Sequence, residues 1–184
     1  MNKFDLLITC PRFKERDASA EVKYFLAELG DEEAVAEPIG MPGILACQTK
    51  IDPMEVIELL KGYIEDNLVY FQYTLRYIPI QVVVNSTIDN IVDAINELKN
   101  RIKNKDTFRI TIEKRHTHID RNELIKDAAT VITNKVDLEN PDKIILIEIV
   151  GDKTGISIIE QNDIISIPIE KREGDFEEED FLPY

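Results

Sequence analysis

The chain has 184 residues, 43% of them hydrophobic, which suits one large domain or two small ones and supplies enough apolar surface for a core. A large multidomain enzyme and a globally disordered chain are excluded. Its 36 acidic and 22 basic side chains give a net charge of −14, which opposes non-specific adhesion to nucleic acid or anionic membrane, so any RNA function must come from a local patch.

Taken in chain order, residues 4–9 predict a strand. Asp17 is the expected cap of a helix in which Ala18, Val22, Phe25, Leu26 and Leu29 recur at helical spacing before Gly30 ends it. Residues 44–50 predict a strand after the Pro42-Gly43 breaker. Asp52, Pro53 and Glu55 then form a helix-start signature, with Val56, Ile57, Leu60 and Ile64 as the buried face. The aromatic alternation of residues 70–77 predicts another strand. Strand, helix, one or two strands, helix, strand is the βαββαβ order of a ferredoxin-like domain, expected over residues 1–80.

Residues 78–86 read as a connection, because Pro79 disfavours a central strand and Asn85-Ser86 offers a cap. Ile88, Ile91, Val92, Ile95, Leu98 and Ile102 then share one helical face. Phe108, Ile110 and Ile112 alternate with Thr107, Arg109 and Thr111 as a half-buried strand. Asp120 and Glu123 open a further helix, and residues 144–149 read as a central strand. The GDKTG turn at 151–155 leads to a strand at 156–160 and an edge strand at 164–169. The fold class expected is α+β, with the folded part ending near Ile169 and residues 170–184 forming an acidic, disordered tail.

Residues 99–115 hold Lys99, Arg101, Lys103, Lys105, Arg109, Lys114 and Arg115 against Asp106 and Glu113, the one basic island in an acidic chain. One reading is that Lys99, Arg101 and Lys103 complement a helix C-terminus. The other is that Arg109, Lys114 and Arg115, with His116 and His118, line a surface where arginine forks to phosphate and histidine stacks or donates. The HxH pair also offers two metal ligands, although no third is recognisable. The seven glycines form neither a dinucleotide loop nor a P-loop, so no cofactor is expected. No apolar run is long enough for a membrane span, and residues 1–13 lack the layout of a secretory signal, so a cytoplasmic protein is expected. Cys10 and Cys47, 37 positions apart, are expected as buried, reduced thiols.

The stretch TFRITIEKRHTHIDRNELIKDAATVI, continued through KVDLENPDKIILIEIVGDKTGISII, resembles the THUMP domain, an RNA-binding module of tRNA-modifying proteins, expected over residues 81–169. RYIPIQ resembles the entrance to that domain, and the TCPR and ERDASAE phrases look most like the group of adaptors needed for 4-acetylcytidine formation in tRNA. The resemblance implies that the second unit holds the acceptor end of tRNA, including the 3' CCA, while the first sets its distance from a catalytic module. Lys114, Arg115, His118 and Arg121 are the RNA contacts it implies, joined by Arg109 and less strongly by Lys99, Arg101 and Lys103. The stretch after Ile169 is too short for a catalytic domain, so the resemblance implies that the RNA cytidine acetyltransferase is a separate protein and this chain is not an enzyme. The alternatives are a tRNA-binding module for another modifying enzyme, or a small metal-dependent enzyme built on the HxH pair.

Overall fold

The computed structural model describes residues 3–180, the last seven as backbone only. In chain order its elements are β1 (Leu6–Thr9), α1 (Glu15–Glu28), β2 (Val35–Pro38), β3 (Ile44–Gln48), α2 (Pro53–Asn67), β4 (Arg76–Pro79), β5 (Val82–Asn85), α3 (Ile88–Leu98), β6 (Phe108–Arg115), α4 (Arg121–Thr130), β7 (Lys143–Val150), β8 (Lys153–Ile159), β9 (Ile165–Ser166) and α5 (Ile167–Asp180). They divide into two units, one of Lys3–Pro79 with the chain from Asp163 onward, the other of Ile80–Asn162. Among the described residues no helix is long and apolar enough to cross a membrane.

In the first unit the order β1-α1-β2-β3-α2-β4 is the βαββαβ succession that the sequence predicts, and an antiparallel sheet forms in the order β2-β3-β1-β4-β9. Leu6 and Ile8 point from β1 into a core shared with Ala18, Val22, Phe25 and Leu26 of α1 and Val56, Ile57, Leu60 and Ile64 of α2, the helical faces expected from spacing. Phe25 stacks on Phe71 at 3.9 Å between ring centroids. Asp52 caps α2 as predicted, accepting from the amides of Met54 and Glu55.

Three local expectations differ. Asp17 does not cap α1, which already begins at Glu15; Asp17 lies in its first turn and pairs with Lys14. The predicted strand over 70–77 shrinks to β4, because the amides of Gln72, Tyr73 and Thr74 bond the Glu21 carboxylate at 2.7–2.8 Å instead of a neighbouring strand. The chain also leaves the second unit earlier than Ile169. Tyr77 pairs with Ile165 and Arg76 with Ser166, which returns residues from Asp163 onward to the first unit, and α5 then leads into the acidic tail expected from residue 170. Residues 181–184 of that expected tail lie outside the described residues.

The second unit is a four-stranded sheet in the order β5-β8-β7-β6, with β6 and β7 parallel and the other pairs antiparallel. The stretch read as a connection contains β5, whose three consecutive valines form an edge strand just after the proline. Thr87, rather than Asn85 or Ser86, caps α3, accepting from the Asn90 amide. Ile91, Ala94, Ile95 and Leu98 of α3 and Leu124 and Ala128 of α4 cover one face of the sheet, on Ile112, Ile145, Ile147, Ile149, Ile156 and Ile158. This unit holds 12 basic and 14 acidic side chains, against 10 and 22 in the rest of the chain. The net −14 is therefore carried almost wholly by the other unit.

Candidate nucleic-acid interface

β5 and β7 both run antiparallel to β8, and β6 runs parallel to β7, so β5, β6 and β7 point the same way. Their ends at Asn85, Arg115 and Val150 therefore share one edge of the sheet. α3 and α4 start from that edge, which places two helix N-termini, with their partial positive charge, beside it. Asp120 caps α4 by accepting from the Asn122 and Glu123 amides, each at 2.9 Å, so its carboxylate is turned inward onto its own helix.

The eight-residue β6 delivers the basic side chains to this edge. Arg115 extends its guanidinium along the sheet face opposite the helices to Glu148, with Nη1 at 2.8 Å from Oε2. Glu148 is the acid that interrupts the apolar run of β7, and it is fully buried. A buried carboxylate in an apolar strand needs a cation or donors. Lys114 leaves on the other face and donates to the Ile119 carbonyl at 2.9 Å, and Arg121 donates from Nη1 to the Ile112 carbonyl at 2.7 Å. These bonds fold the 116–120 connection against the end of β6. His116 takes a left-handed conformation, φ 53°, and both His116 and His118 are exposed.

Each cation thus uses one donor internally and is held in place by it. Guanidinium has five N–H donors in a fixed fork, so Arg121 and Arg115 keep further donors for a phosphate. The acids sharing the edge are Glu113, Glu123 and Asp152 besides Asp120.

The basic island is not one surface. Lys99 and Arg101 lie in a 3₁₀ turn closing α3, and Lys103 follows in a turn tied by its amide to Asp106 Oδ2 and by its carbonyl to Asn134. All three are exposed and stand beyond the start of β6, whereas Lys114 and Arg115 end it. Eight strand residues separate the two groups by about 23 Å. Arg109 belongs with the distant group: its Nη1 donates to the Leu138 carbonyl at 3.3 Å in the VDLENP loop, and its buried Nε has no hydrogen-bond partner among the described residues. Charge counted along the chain merges what the strand holds apart.

Lys153 was not singled out by sequence reasoning. It pairs with Asn85 across the β5-β8 ladder and donates to the Asn85 side chain at 2.6 Å, on the same edge as Arg115. Only the strand order brings it there. Among the described residues no group of three His, Cys, Asp or Glu side chains is placed to hold a metal ion, so the HxH pair gains no third ligand from the fold.

The THUMP domain model matches residues 85–159, from the last residue of β5 through the end of β8. The chain is 28% identical over 139 residues to the uncharacterized protein MJ0421 of Methanocaldococcus jannaschii, covering 72% of this chain and 36% of that protein. Among solved structures it is similar to PH1313 from Pyrococcus horikoshii, with a TM-score of 0.62, 19% identity, and coverage of 89% of this chain and 55% of that one. It is also similar to TrmN from Thermus thermophilus, with a TM-score of 0.53, 13% identity, and coverage of 83% and 44%. A 4-thiouridine synthetase, solved in complex with RNA and bound ATP, matches with a TM-score of 0.50, 13% identity, and coverage of 89% and 42%. The chain thus spans about a third of the curated relative and about half of these solved structures.

Proposed function

We propose that this protein is a non-catalytic tRNA-binding adaptor, cytoplasmic, that presents tRNA to a separate RNA cytidine acetyltransferase for 4-acetylcytidine formation. The observation that carries the RNA part is the edge at which β5, β6 and β7 end, inside the segment matching the THUMP domain. There Lys114, Arg115, Arg121, His116, His118 and Lys153 stand beside two helix N-termini. Preset cations suit phosphates and an exposed single-stranded end, which recognition by side-chain forks and stacking requires. The acceptor end of tRNA with its 3' CCA is such an end. The βαββαβ order and the sheet order β2-β3-β1-β4 support reading the first unit as ferredoxin-like, and its role in this account is to set the distance to the catalytic partner.

Acetyl transfer to the cytosine amine needs a bound acetyl donor, and the RNA edge supplies positioning rather than a reacting group. Holding the substrate in one orientation turns a bimolecular encounter into an oriented complex, which alone accelerates reaction. A tRNA gel-shift titration over a range of salt tests the binding half. Affinity should fall with rising salt, with a slope set by the number of phosphates contacted. Salt-independent binding, or none, refutes the interface.

A second reading is that the same RNA edge serves a different tRNA-modifying enzyme. The likeness to a 4-thiouridine synthetase solved with RNA favours it, as does the chain's coverage of only 36% of its curated relative. Copurification of the native protein, followed by mass spectrometry of what accompanies it, separates the two.

A further inference from the structure

Residues 11–14 form a turn closed by the Lys14 amide donating to the Pro11 carbonyl at 3.1 Å. Phe13 occupies its third position at φ 69°, where such turns ordinarily place glycine because a side chain is disfavoured there. Among the described residues nothing packs on the ring to offset that cost, since Phe13 is 93% exposed. The turn is nonetheless firmly held. The Cys10 amide donates to the Gly43 carbonyl at 2.9 Å, and the Gly43 amide donates to Glu15 Oε1 at 2.7 Å. A side chain at Gly43 would begin 2.7 Å from the Cys10 carbonyl oxygen, so the two loops touch backbone to backbone.

The charges around Phe13 are sorted in the same direction. Glu15 is occupied by Gly43, and Asp17 pairs with Lys14 at 3.1 Å, while Lys14 also sits 5.4 Å above the Tyr73 ring. The Arg12 and Arg16 side chains are exposed, and neither makes a hydrogen bond or ion pair among the described residues. A strained aromatic ring is thus presented to solvent on a pinned loop, with the exposed Arg12 and Arg16 close to it in the chain, in the more acidic of the two units.

We propose that this loop binds an unpaired nucleotide of an RNA strand, the base stacked on Phe13 and the flanking phosphates on Arg12 and Arg16. Stacking needs an open ring face and tolerates any base, and guanidinium forks suit the phosphates on either side of it. A protein partner would use an exposed phenylalanine as part of an apolar patch, but the residues flanking this ring are charged. The unit's excess of 22 acids over 10 bases opposes RNA and anionic membrane alike, so the contact has to be local to this loop and to rest on the stacked base. The inference rests on the RNA reading above and adds a second contact point, in the first unit, to the one in the second.

The test uses the full chain and a short single-stranded RNA oligonucleotide carrying 2-aminopurine, whose fluorescence reports stacking. Phe13→Gly is the informative variant, because glycine accepts φ 69° and no packing is lost. It should melt at or above the wild-type temperature, lose the fluorescence change, and bind the oligonucleotide about tenfold more weakly. Phe13→Trp should bind at least as well as wild type. Replacing Arg12 and Arg16 together by alanine should lower the salt slope by about 1.4, the value for two single-strand phosphates. Wild-type affinity and fluorescence for Phe13→Gly overturn the proposal. So does a Phe13→Gly protein that keeps RNA binding but loses association with a purified acetyltransferase, which makes the loop a protein contact. If wild type binds neither oligonucleotide nor tRNA, the RNA reading itself fails; if it binds both and Phe13→Gly does too, only this site fails.

Discussion

Replacing Arg115 by alanine is the obvious way to test its contact with RNA, and the structure predicts that the variant will first be less stable. Its Nη1 is 2.8 Å from the Glu148 carboxylate, which is buried while the Arg115 side chain is 28% exposed. Removing the arginine takes the opposite charge away from a buried carboxylate in a medium that solvates ions poorly. The usual cost is about 3–5 kcal/mol. Because Arg115 reaches solvent, water can partly replace it, and we expect roughly 2–3 kcal/mol. For a chain of this length that lowers the melting temperature by roughly 5–10 °C, readable by circular dichroism. Glu148→Gln in the Arg115→Ala background removes the buried charge and should recover part of the loss. A wild-type melting temperature for Arg115→Ala, or a double variant less stable than the single one, refutes the reasoning. The consequence for binding assays is that lost tRNA affinity in Arg115→Ala counts only at temperatures where the variant is folded.

Lys114→Ala and Arg121→Ala spare Glu148, so each should weaken tRNA binding and lower the salt slope by about 1 if a phosphate contact goes, checked by gel shift at several salt concentrations; tRNA trimmed at its 3' end should compete poorly with intact tRNA. Gly43→Ala places a Cβ 2.7 Å from the Cys10 carbonyl at a residue with φ +75°, and should destabilise the first unit by more than about 1 kcal/mol in urea titration. Burial pushes the Cys10 thiol up to about 11, with Glu15 adding to it, and burial pushes Cys47 up to about 12, so both should resist alkylation in the native state at neutral pH. Since an unfolded thiol ionises near its ordinary 9.0 while these folded ones do not, their contribution to stability is whole below pH 9 and declines between 9 and about 11 for Cys10. Urea titrations at pH 8 and pH 10 should therefore show a lower midpoint at the higher pH.

Much of the architecture is legible in residue order because the signals are local. The cap-and-proline start of α2, the capping aspartate of α4 and the period-two alternation entering β6 all identify their elements within a few residues. What sequence reasoning misplaced depends on distant partners. Residues 70–75 have the composition of a strand, but Glu21, some fifty positions away, claims their amides. Ile165 and Ser166 pair in the first sheet rather than the second, which no local pattern distinguishes. The candidate interface shows the same limit. Lys114, Arg115 and Arg121 are adjacent in sequence and in space, whereas Lys99, Arg101, Lys103 and Arg109 are near them in sequence only. A lone acid in an apolar strand, as Glu148 is, needs a partner, yet only the register of β6 on β7 identifies Arg115 as one.

The central claim, that this chain delivers tRNA to a separate acetyltransferase, is tested most directly by reconstitution with acetyl-CoA, tRNA, the purified acetyltransferase and this protein, each omitted in turn. The account predicts no acetylation from this protein and tRNA alone, acetylation of tRNA stimulated when the enzyme is added with it, and loss of that stimulation in Lys114→Ala in parallel with lost tRNA binding. Acetylation by this protein in the absence of the enzyme, or an enzyme whose rate on tRNA is unchanged by its presence, would contradict it.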